Sequence, residues 1–110
     1  MNISVKKYLL AATSHAENTL LGNYKIGNAM ATEIEQMNKY IIKLKDTETA
    51  YKFIDEIIDS NLPNAIMWIA PVCEKKHYRI DAVRNKLLNY SSDKTLGILS
   101  LNATMLLRTL

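Results

Sequence analysis

Apolar residues recur along this chain at the spacing of a helix face, and nowhere give way to the alternation of a strand. One face collects Val5, Leu9, Ala12, Ala16 and Leu20; the next collects Ile26, Met30, Ile34, Met37, Ile41 and Leu44. Ala50, Phe53, Ile54, Ile57 and Ile58 follow, then Ile80, Val83 and Leu87, and last Leu99, Ala103, Leu106 and Leu110. The pattern predicts an all-α, single-domain stack of antiparallel helix hairpins with about six helices.

Turn chemistry divides the pattern. Gly22-Asn23 closes a first helix of about Ile3 to Leu21, because glycine takes the left-handed cap conformation without a Cβ penalty. A second helix, roughly Tyr24 to Lys43, must fold back on the first across so short a link. Asp46 or Thr47 caps a third, with Glu48 in its first turn, and Ser60-Asn61 ends it. Pro63 suits a first turn, and Pro71 predicts an early stop near Ala70, since it lacks an amide hydrogen and crowds the preceding turn. Cys73 to His77 then reads as a polar link. A fifth helix spans about Tyr78 to Leu88 or Asn89, and a final one follows Gly97. A shift of 30 residues lays Ala50, Phe53, Ile57 and Ile58 over Ile80, Val83, Leu87 and Leu88. Repeating hairpins of this kind bury their apolar faces only against one another. The expected units are residues 46–73 and 77–110, stacked on an N-terminal hairpin of residues 1–44.

Two motifs sit at helix starts. Gly22-Asn23-Tyr24-Lys25-Ile26-Gly27-Asn28 reads G-x-Y-K-x-x-N, and Leu62 to Ala70 reads L-P-x-x-x-x-W-x-A. With Gly97 and the ending Asn102 to Arg108, these resemble a small bacterial family of HEAT-like helical repeats, although Ile66 stands where such repeats often carry Arg. The resemblance implies a cytoplasmic immunity protein, encoded beside a toxin gene, that binds and neutralises a secreted or contact-delivered toxin. It implies neither catalysis nor a cofactor.

Composition narrows the chemistry. One cysteine in 110 residues excludes an internal disulfide and a cysteine-based zinc site. Lys6-Lys7 before Tyr8-Leu9-Leu10-Ala11-Ala12 imitates the start of a signal peptide, but the apolar run falls short of the roughly 7–15 residues needed and continues in helical register. No run approaches the ~20 apolar residues of a membrane span. Cys73 and His77 are four residues apart, with no third residue placed to orient the imidazole, so Cys73 reads as a core or boundary thiol. His15 and Glu17 occupy different faces of their helix, and no ligand spacing suggests a metal. Gly22, Pro63 and Trp68 read as structural, Trp68 packing between the two repeat units.

Charge is what separates candidate surfaces. Residues 1–62 carry seven Lys/Arg against eight Asp/Glu, whereas residues 63–110 carry seven against three, within a net charge of +3. The acidic group Glu48, Asp55, Glu56 and Asp59 is the candidate partner-binding surface, suited to a basic toxin such as a nuclease. The basic group Lys75, Lys76 and Arg79 is the alternative, a grip on nucleic-acid phosphate.

Overall fold

Helices form close to where the periodicity places them, and local caps set several of their limits. The computed structural model describes residues 3–110. It contains α1 (Val5–Leu20), α2 (Tyr24–Lys43), α3 (Thr47–Asp59), α4 (Pro63–Lys76), α5 (Ile80–Ser92) and α6 (Ile98–Leu107). A single 3₁₀ turn, Lys94–Leu96, joins α5 to α6, and no strand occurs among the described residues. Ser4 Oγ accepts from the Lys7 amide at 3.3 Å to start α1, and the Asp46 carboxylate accepts from the Thr49 amide at 3.2 Å to start α3. Gly22, at φ +81°, ends α1: its amide and that of Asn23 donate back to Thr19 and Asn18. Pro63 is in the first turn of α4, as its sequence position predicts.

α4 is the centre of the molecule and packs against all five other helices. It has no charged residue before Glu74, and it buries Ala65, Ile66, Ile69, Ala70, Val72 and Cys73 around its circumference. A helix that is apolar all round belongs inside a protein, and five neighbours put α4 there. α3 contributes Ala50, Phe53, Ile54, Ile57 and Ile58, all buried as the periodicity predicts. α1 and α2 form the N-terminal hairpin. They approach closely at Gly27, where an added Cβ would stand 3.0 Å from Thr19 Oγ1.

Three expectations are corrected. α4 does not stop at Ala70 but continues through Pro71 to Lys76, so residues 73–76 are its last turn and not a polar link. The Pro71 ring is on the exposed side. Nearby, the Asn38 side-chain amide donates to the Trp68 carbonyl at 2.9 Å, and the Tyr8 hydroxyl donates to Asn38 Oδ1 at 2.8 Å. That chain ties α1, α2 and α4 together around the turn that proline loosens. Second, α1 buries Tyr8, Ala11 and Ala12, whereas Leu20 is exposed, as is Ile26 at the start of α2. The inward face of α1 is rotated from the one its aliphatic residues suggest, because Tyr8 takes the central position. Third, the 30-residue repeat fails at Leu88, which is exposed where Ile58 is buried. α5 packs on α4 and α6 and buries only Val83 and Leu87.

Candidate functional site

The turn from α4 to α5 holds two left-handed residues that are not glycine. His77, at φ 52°, closes α4, with its amide donating to Glu74 O and that of Tyr78 to Cys73 O. This is the paired-bond cap that glycine usually supplies. Arg79, two residues on, is left-handed again at φ 53°. Two left-handed residues that are not glycine cost about 1–2 kcal/mol each and persist only where surrounding contacts impose them.

Those contacts come from Tyr78 and Arg79. The Tyr78 ring lies flat on Tyr51 of α3, with centroids 3.8 Å apart and planes 1° from parallel. Its hydroxyl donates to the Asp55 carboxylate, 2.9 Å from either oxygen. Arg79 Nη1 reaches Asp55 at 3.1 Å and Asp59 at 3.6 Å. Burial first, then the Asp55 carboxylate, pushes the Tyr78 phenol above its ordinary value. The hydrogen bond to Asp55, outweighing some burial, keeps the Arg79 guanidinium more firmly charged than usual. The result is a fixed platform of two tyrosines, one arginine and two carboxylates, half-buried except for the open Asp59.

The two candidate surfaces therefore meet. Asp55 and Asp59 from the acidic group pair with Arg79 from the basic one, so neither is a field of a single sign. Glu48 and Glu56 remain exposed on α3. Lys75 is exposed at the end of α4, whereas Lys76 turns inward and its Nζ donates to the Leu44 carbonyl at 2.7 Å. What sequence reasoning missed is Tyr51 and its pairing with Tyr78, a residue it took only as part of the basic group. The missed signal is their place beside charged residues at the third-helix and turn positions, which a search for charge alone passes over.

The other candidates lie apart from this platform. Cys73 is buried, and its thiol is pushed up to about 12, chiefly by burial and against the pull of Arg79. A thiol in that state is not a nucleophile at neutral pH. Trp68 is half-buried on α4. It rests against the core on one side and on the other lines a surface groove between α1 and α6, edge-on to His15 at 5.2 Å. Among the described residues no three His, Cys, Asp or Glu side chains gather as metal ligands, and no helix is long and apolar enough to cross a membrane. Comparison of the chain with family models, with curated proteins and with solved structures finds no match.

Proposed function

We propose that this protein is a cytoplasmic immunity protein, acting by binding without catalysis, and that it covers its toxin with the platform of Tyr51, Tyr78 and Arg79. The observation that carries this is the preorganised aromatic–arginine cluster on a backbone held in two left-handed positions. Tyrosine and arginine supply most of the energy at protein interfaces when they are rigid before binding, because little side-chain entropy remains to be lost. Strained positions of this kind also concentrate at sites that bind. The resemblance of the helix-start motifs to immunity proteins of the HEAT-like type supplies the class of partner.

The acidic residues take a smaller part here than their number suggests. Asp55 and Asp59 orient Arg79 and Tyr78, while Glu48 and Glu56 are left as rim charges that steer a basic partner and mainly change the association rate. Nucleic acid fits this surface less well. A phosphate approaching Arg79 meets the two carboxylates already on it, and Lys76 is committed to a carbonyl.

The test is binding of the protein encoded by the adjacent gene, with protection of cells that express it. Tyr78→Ala and Arg79→Ala should each weaken the complex at least roughly tenfold, about 1.4 kcal/mol, while the helical spectrum is retained. Glu48→Gln with Glu56→Gln should lower the association rate and leave dissociation nearly unchanged. Full affinity in both platform variants contradicts the proposal. So does tight binding of oligonucleotides at physiological salt that is lost on reversing Lys75 and Arg79.

A further inference from the structure

The Arg79 guanidinium is held in place through one nitrogen and left open along one edge. Nη1 stands 3.1 Å from Asp55 Oδ1 and 3.6 Å from Asp59 Oδ1. Nε and Nη2 have no acceptor among the described residues, and neither is closed off from solvent. Their N–H bonds run side by side along the free edge of the planar group, a fork that can grip two acceptor lone pairs at once. The tie at Nη1 removes much of the side chain's freedom beforehand, so the fork is set before anything binds.

The other polar groups of the platform are unequally occupied. The Tyr78 hydroxyl is committed to Asp55, and Asp55 is taken up by that hydroxyl and by Arg79, so Tyr78 offers a partner its ring. Asp59 is different. Its side chain is 71% exposed, and among the described residues its carboxylate accepts no hydrogen bond and meets only Arg79. An open donor fork and an open acceptor therefore stand beside each other, joined through Nη1.

We infer that this pair recognises amide groups of the partner: the Arg79 Nε–Nη2 edge donates to carbonyl oxygens, and Asp59 accepts from N–H. The main chain of an exposed loop, or an Asn or Gln side chain, presents both. The inference rests on the reading of the platform as the toxin-binding surface and supplies the chemistry of its central contact. Charge decides against the alternatives. Asp55 and Asp59 outnumber Arg79, so an incoming carboxylate or phosphate meets two repulsions for one attraction. Coulomb energy falls only as the inverse of distance, and two like charges at roughly twice the range cancel the pull of the arginine. A lysine or arginine of the partner would find Asp59 but would face the Arg79 guanidinium beside it. An amide brings no charge to desolvate, and its carbonyl gains the stronger bond that a charged donor makes.

The experiment has two arms. In the first, the side-chain Nε–H signal of Arg79 is followed by nuclear magnetic resonance as N-methylacetamide or acetate is added at fixed ionic strength. N-methylacetamide should move this signal at least roughly twice as far as the same concentration of acetate. The exposed Arg108, which makes no ion pair among the described residues, should show the reverse order. Asp59→Asn should narrow the preference at Arg79. A signal that follows acetate further, or that responds to neither probe, overturns the inference whether or not a toxin binds. In the second arm, Arg79→Lys is set against Arg79→Ala in binding the adjacent gene's product, each variant keeping the helical spectrum. Lysine retains the charge without the fork, so its affinity should fall to within roughly twofold of that of the alanine variant. Near wild-type affinity for Arg79→Lys, with Arg79→Ala impaired, overturns the inference and leaves the platform reading intact. Full affinity in Tyr78→Ala and Arg79→Ala contradicts the platform reading, and the first arm then decides the amide chemistry alone.

Discussion

His77 occupies a position that glycine would fill without strain, and its side chain is exposed. His77→Gly should therefore raise stability by about 0.5–1 kcal/mol in chemical denaturation, the left-handed penalty outweighing the entropy of the freer unfolded chain. No gain, or a loss, would mean that the imidazole contributes contacts at the turn. Cys73 gives a second residue-level outcome. Burial pushes its folded thiol from the ordinary 9.0 up to about 12, so between those values the unfolded chain has lost a proton that the folded chain keeps. Stability is then fully present below about pH 9 and declines as pH rises through that window. Buried Tyr8, also raised by burial, acts in the same direction. At neutral pH Cys73 should react with a thiol reagent only as fast as the protein opens; rapid labelling of the folded protein would contradict its burial.

At the scale of elements, much was legible. The apolar face of α3, the Asp46 cap, the Gly22 stop and the Pro63 start are local signals, and each element follows from residues within a turn of it. Pro71 misled because a lone proline ends a helix only where nothing else holds the next turn. Here five neighbouring helices and the Tyr8–Asn38–Trp68 chain do so, and that is tertiary information. Asn38→Leu tests it. Removing the amide strands the buried Tyr8 hydroxyl and takes away the tie to the Trp68 carbonyl, which should cost about 1–3 kcal/mol. Pairing Asn38→Leu with Tyr8→Phe should recover part of the loss, because the stranded hydroxyl is gone; two fully additive losses would show the chain to be uncoupled. The candidate site was legible only in halves. Asp55 and Arg79 are 24 residues apart and attract attention as separate charge groups. Only the fold of α3 against the α4–α5 turn turns them into one cluster, with Tyr51 and Tyr78 at its centre.

Across the whole molecule, three hairpins present two unlike faces: a charged, aromatic platform on α3 and the α4–α5 turn, and an uncharged face on α6 and the α1–α2 corner. The first suits recognition of a foreign partner, since it is fixed in shape and nearly balanced in charge. The central claim is that the toxin seats on it. The direct measurement is backbone amide chemical-shift mapping of the labelled protein as the adjacent gene's product is added. The largest changes should fall at Tyr78, Arg79 and the outward positions of α3 from Tyr51 to Asp59, with α6 unaffected. Changes confined to α6 and the α1–α2 corner, with Tyr78 and Arg79 unmoved, would contradict it.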